Sequence, residues 1–106
     1  MPTHNIIVSW KPELETVRIV ALVVNGKAVR ARGGRSPSPV TLSPGASRNG
    51  KFLVDSTIIV DSGGPVNIAI DIVSRADPSK YVHVADTQAL KRDVPWHTDS
   101  KNVDAP

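Results

Sequence analysis

Cysteine is absent from the chain, which excludes disulfides and thiolate chemistry. Small secreted domains often depend on disulfides, so the absence mildly favours a reducing, cytoplasmic setting. Aromatic residues are scarce: Trp10, Phe52, Tyr81 and Trp96 are the whole set. No apolar run is long enough for a membrane helix. The longest, Ile19–Val24, falls far short of the roughly 20 residues a span requires. Residues Met1–Trp10 lack a basic region and a long apolar segment, so no signal peptide is expected. Acidic residues are missing from the whole stretch Val17–Val54.

Val and Ile dominate what remains. These side chains are stiff at χ1 and pack well on a pleated surface, so they favour strands. A chain of 106 residues is one domain by length and can bury a substantial core. The expected division is a single domain over residues 1–94 and a polar tail over 95–106.

Period-2 patterning supplies the elements. Asn5–Trp10 reads as a strand with Ile6, Val8 and Trp10 on one face, ended by Pro12. Thr16–Val24 is apolar at nearly every position, as expected of a strand buried on both faces or set against a partner. Asn25-Gly26 then calls for a type I′ hairpin, so Lys27–Ala31 should fold back on it. Gly33–Gly50 is rich in Pro, Gly and Ser, with Pro39–Leu42 as a short edge strand. Lys51–Asp61 is extended and kinked near Asp55-Ser56. A turn at Ser62–Pro65 leads to Val66–Ser74, whose residues Val66, Ile68, Ile70 and Ile72 should face the core. Lys80–Ala85 is the last expected strand. Asp86–Asp93 suits a helical turn, and the chain from His97 a mobile tail.

The fold class expected is therefore all-β: a small antiparallel β-sandwich, immunoglobulin-like or a related Greek key, with six or seven short strands. Pro39–Val60, with Val40-x-Leu42-x-Pro44-Gly45, resembles immunoglobulin-like modules in architecture over about a third of the chain. The Cys–Trp–Cys hallmark is missing, and no family is assigned.

Chemistry leaves few marks. Gly45-Ala46-Ser47-Arg48-Asn49 lacks the final Gly of a nucleophile elbow and sits in a loop. His97-x-Asp99 and Asp93-x-x-x-His97 read as solvated tail residues rather than metal ligands, and no metal or cofactor is expected. His4 is expected to be exposed. Asp61 and Asp71 lie on facing arms of the Ser62–Pro65 turn and are candidates for a carboxylate pair, although solvated aspartates are the more ordinary reading. His83 shares a strand face with Tyr81 and Ala85. It is either half-exposed or part of a ligand-contacting surface.

Charge is the most informative feature. Arg18, Lys27, Arg30, Arg32, Arg35, Arg48 and Lys51 fill the acid-free stretch. Arg30, Arg32, Arg35, Arg48 and Lys51 are candidates for one basic surface, suited to phosphate, sulfate or carboxylate. Against this, acids from other strands can neutralise it after folding. Aromatics are not interleaved with these residues, which disfavours nucleic acid. Trp96 docks on a sheet or serves as an exposed contact. The expected function is that of a non-enzymatic binding or structural module, acting by protein–protein interaction or self-assembly. The alternative is a lectin-like module binding carbohydrate or an anionic glycan. The candidate binding residues are Arg30, Arg32, Arg35, Arg48, Lys51, Tyr81, His83 and Trp96.

Overall fold

A computed structural model describes residues 3–29, 35–36, 38–61 and 63–106. Within them the chain is all-β, without a helix. The strands are β1 (His4–Lys11), β2 (Val17–Val24), β3 (Lys27–Ala28), β4 (Arg35–Ser36), β5 (Val40–Leu42), β6 (Lys51–Val60), β7 (Val66–Ser74), β8 (Tyr81–Leu90) and β9 (Trp96–Asp104). Eight of them form two antiparallel sheets of four, ordered β5-β1-β7-β8 and β3-β2-β6-β9, and the two-residue β4 pairs with β2 beside the second path. Eight full members replace the six or seven expected.

The sheets pack face to face around one apolar core. Ile6, Val8 and Trp10 from β1 and Val66, Ile68, Ile70 and Ile72 from β7 meet Val17, Leu22 and Val24 from β2 and Phe52, Val54, Ile58 and Val60 from β6. The inward faces of β1 and β7 are those the alternation predicts. Each fully buried Ile contributes roughly 1.5–3 kcal/mol of transfer free energy. Trp10 combines both needs of a buried indole, since its Nε1 donates to the Glu15 carbonyl at 2.8 Å while its ring fills the core.

Several expectations give way. β2 is not buried on both faces: Arg18, Val20 and Ala21 are exposed on its outer side. The Asn25-Gly26 turn forms as expected, with φ of 51° and 79°, but its return strand β3 spans only Lys27–Ala28. A second turn of the same kind, Asn49-Gly50, closes between Arg48 and Lys51 with φ of 54° and 72°. Ser62 lies outside the described residues, and the rest of the turn expected at Ser62–Pro65 does not join two strands of one sheet. It carries the chain from β6 in one sheet to β7 in the other, with Gly63 and Gly64 at positive φ.

The C-terminal third differs most. The expected helical turn over Asp86–Asp93 is instead the second half of β8, which continues to Leu90 along β7. The expected mobile tail is β9, paired with β6 from Lys51↔Asp104 to Ile58↔Trp96. The pairing shifts register between Val54 and Ser56, where the sequence predicts the kink. There, Asp55 Oδ1 accepts the N–H of Ser100, itself at φ 51°, at 2.7 Å. Inside the sandwich, the hydroxyls of Ser56 and Thr98 hydrogen-bond each other. His4, expected to be exposed, is buried. Its ring meets Phe52 edge-on at 5.2 Å, and its Nε2 lies 3.0 Å from the Pro106 backbone oxygen.

Candidate functional site

A bulge in β8 sets up the principal polar cluster. Ile70 pairs with Ala85 and Asp71 with His83, so Val84 is the extra residue. In a regular strand, residues three apart point to opposite faces. The inserted residue reverses that parity, and His83 and Asp86 come together on the outer side. His83 Nδ1 lies 2.8 Å from Asp71 Oδ1, and its Nε2 lies 3.3 Å from Asp86 Oδ2. Both ring nitrogens face carboxylates, and only the protonated imidazole donates from both. The His83 pKa is raised above 6.5, first by the Asp71 hydrogen bond. Partial burial opposes this, and the charges of Asp71 and Asp86, with the Asp86 hydrogen bond, add to it. Ala85, expected beside His83 on the outer face, is half-buried against the core instead.

Asp86 stands between two concavities. One, of about 370 Å³, has walls from Ser9 and Lys11 on β1, Asn67 and Ala69 on β7, Asp86 and Gln88 on β8, and Pro39 before β5. Trp10 and Ile68 also contribute to its lining. The other, of about 380 Å³, runs between the neighbouring edges of the two sheets. It is lined by His83, Ala85 and Asp86 from β8 and by Trp96, His97, Thr98 and Lys101 from β9. Both volumes lie in the range of small-ligand sites. His97 is oriented by Thr57, whose Oγ1 lies 2.8 Å from its Nδ1. Among the described residues, no three His, Asp or Glu side chains converge to hold a metal ion.

The structure distributes the described sequence candidates over four places. His83 and Trp96 share the inter-sheet groove. Tyr81, 65% exposed at the start of β8, stands opposite Val73 and outside that groove's lining. Arg48 and Lys51 flank the Asn49-Gly50 turn. Arg48 donates to the Asn25 carbonyl at 3.3 Å, and Lys51 pairs with Asp104 at 3.4 Å. Arg30 and Arg32 lie outside the described residues. Arg35 belongs to β4, and its backbone pairs at Arg18. Arg18 and Asn25 mark opposite ends of β2, roughly 20 Å apart at about 3.3 Å per residue. The backbone of Arg35 and the Arg48–Lys51 turn therefore lie toward opposite ends of β2.

Asp61 and Asp71 do not pair either. Asp61 follows β6 at the corner between sheets, whereas Asp71 lies mid-strand on the outer side of the other sheet, bound to His83. Gly45–Lys51 has the Gly-x-x-x-x-Gly-Lys spacing of a phosphate loop, but Phe52 stands where that motif needs Ser or Thr, and β6 follows where it needs a helix.

Sequence reasoning missed the Asp71–His83–Asp86 cluster and the cavity beside it. The alternation of β7 places Asp71 outward, but its partner depends on the bulge in β8, for which the sequence carries no marker. The cavity gathers residues from three strands, and no local motif announces it. No protein-family model, curated protein or solved structure matches the chain.

Proposed function

We propose that this chain is a binding module without catalytic chemistry of its own, and that it acts by protein contact, first of all with a second copy of itself. The observation that carries this reading is the outer side of β2. Val20 is 53% exposed there, with Ala21 exposed and Val23 half-buried beside it. On the neighbouring β6, half-buried Ile59, opposite Arg18, and Leu53, 39% exposed beyond Thr57 and Asp55, add apolar area to the same sheet face. Exposed apolar side chains gathered on one sheet face are the kind of feature that interaction sites use. A Greek-key reading draws on β5 returning to lie beside β1 in one sheet while β2 and β3 pair in the other, but β1 and β2 are not neighbours, so the order 4-1-2-3 is not met. An immunoglobulin-like arrangement has less support, because its first two strands share a sheet and β1 and β2 do not.

A lectin-like reading has its own observation. The concavity beside β8 joins hydrogen-bonding groups of Ser9, Asn67, Asp86 and Gln88 to apolar surface from Ala69 and Pro39. That mixture suits the hydroxyls and the apolar face of a sugar. The basic residues support it less, since Lys51 is already paired with Asp104.

Light-scattering mass across a concentration series tests the first reading. The mass should rise with concentration in the native chain and stay monomeric in Val20→Lys, with the circular dichroism unchanged. A native monomer at every concentration removes self-association. A glycan array then decides the second reading: binding that Gln88→Ala abolishes supports it, and a blank array removes it.

A further inference from the structure

The tripeptide Asn-Gly-Lys occurs twice, at Asn25–Lys27 and at Asn49–Lys51. Both copies form tight hairpin turns with nearly the same backbone: φ is 51° and 79° in the first, 54° and 72° in the second. Asn and Gly are the residues that tolerate this left-handed geometry. Sequence and backbone are thus matched, and the side-chain surroundings are not.

Three hydrogen bonds hold the Asn25 amide. Its Oδ1 accepts the Leu53 N–H at 2.8 Å, and its Nδ2 donates to the carbonyls of Ala46 and Lys51 at 3.2 and 3.3 Å. Asn49 is exposed, and among the described residues nothing holds its side chain. Gly50, which follows it, is also exposed, and a Cβ built there meets nothing within 4 Å. The Gly50 carbonyl accepts the Ala105 N–H at 2.8 Å, but the side of Gly50 where a Cβ would stand is open.

We propose that Asn49 is a site of spontaneous covalent modification and that Asn25 is protected from it by the fold. The backbone nitrogen of Gly50 attacks the Asn49 side-chain carbonyl carbon and forms a five-membered succinimide. The Gly50 amide proton is lost, and the side-chain nitrogen leaves as ammonia. Water then opens the ring at either carbonyl, giving aspartate or isoaspartate at position 49. Glycine is the follower best suited to this attack, because it has no Cβ to obstruct the approach. At Asn25 the same step requires the amide to leave all three partners. Each hydrogen bond is worth roughly a factor of five in equilibrium, so three slow the step by about a hundredfold.

The product changes the hairpin. A new carboxylate appears between Arg48 and Lys51, and Lys51 already faces Asp104 at 3.4 Å. Isoaspartate also lengthens the main chain by one carbon, which disturbs the two Arg48–Lys51 backbone hydrogen bonds of 2.9 and 3.0 Å.

Peptide mass spectrometry tests the proposal on the intact native chain. The protein is incubated at mildly alkaline pH, folded or in urea, and digested with chymotrypsin. Cleavage after Leu22, Leu42 and Phe52 puts the two asparagines on separate peptides. A zero-time sample fixes the background, and modification registers as a gain of about one dalton. In the folded protein the Asn49 peptide should convert roughly a hundredfold faster than the Asn25 peptide, in line with three hydrogen bonds to break. In urea the two should convert at similar rates, since the tripeptides are the same. Equal rates in the folded protein, or faster conversion of Asn25, overturn the proposal. So does a folded protein in which neither converts while both convert in urea.

Discussion

His83 and Asp71 face each other across the β7–β8 pair with Nδ1 2.8 Å from Oδ1, and the Val84 bulge brings Asp86 to the other ring nitrogen. One imidazole therefore joins two carboxylates, and its protonation state sets how well the cluster holds together. The side chains of His83 and Asp71 are 47% and 27% exposed, so solvent screens the pair and its contribution stays below about 1 kcal/mol.

The pH dependence follows from the direction of the shift. The folded state holds the His83 proton more tightly than an ordinary histidine with its value of 6.5. The resulting stabilisation is complete below that value and is lost as pH rises through the raised folded value. His83→Gln should therefore lower the denaturant midpoint at acidic pH, and the difference from the native chain should shrink in alkali. Titration of the His83 ring by NMR reads the folded value directly. A value at or below 6.5 contradicts the assignment.

The Asn25-Gly26 turn separates backbone cost from contact cost. A Cβ at Gly26 meets no atom within 4 Å, but φ is +79°. Gly26→Val should thus destabilise through conformation alone, by about 1–2 kcal/mol. Asn25→Ala removes the acceptor of the Leu53 N–H and the donor to Ala46 and Lys51. About 1–3 kcal/mol is expected there. Chemical denaturation of both variants checks the two causes, and an unchanged midpoint in either removes the corresponding one.

Legibility in the sequence followed periodicity. β1 and β7 could be read with their inward faces because Ile6, Val8 and Trp10, or Val66, Ile68, Ile70 and Ile72, repeat every second residue beside polar neighbours. β9 could not, because Trp96–Asp104 is polar at most positions and its inward residues are Thr98 and the half-buried Trp96 and Val103. Its place is set by pairing along β6, which is tertiary information. The second half of β8 was hidden for a related reason. Two register shifts break its alternation, and Ala89 sits at φ 51° with its N–H bound to Asn67 Oδ1. His83 and Trp96 could be picked out one at a time by residue type. That they line one groove depends on two edges, β8 and β9, belonging to different sheets.

The face assignment of β7 gives a sharp contrast between neighbours. Ile70 is fully buried among Ile68, Ile72 and Val8, so Ile70→Ala should cost about 2–5 kcal/mol. Asp71, one residue along, points outward to His83. Asp71→Ala should cost under about 1 kcal/mol, as exposed ion pairs do, and should return the His83 titration toward 6.5. Equilibrium unfolding of the two variants is the measurement. A larger loss for Asp71→Ala would reverse the assignment.

Ser56 and Thr98 supply the most discriminating test of how β9 is held. Their hydroxyls bond each other in the buried layer between β6 and β9, next to the register shift at Asp55. Neither hydroxyl is reachable by bulk water, so each is the other's protection against an unsatisfied buried polar group. Removing one leaves the other without its partner, which costs about 1–3 kcal/mol. Replacing both by apolar groups of similar shape removes the desolvation cost with the bond, and can be nearly neutral. Ser56→Ala and Thr98→Val should therefore each destabilise, whereas the double variant should be less destabilised than the sum of the two. The cycle of four proteins, unfolded in denaturant, isolates the coupling, because these residues are in direct contact. Strict additivity would mean that the hydroxyls do not interact and that β9 is fixed on β6 by its backbone ladder and by the Asp55–Ser100, Thr57–His97 and Lys51–Asp104 contacts.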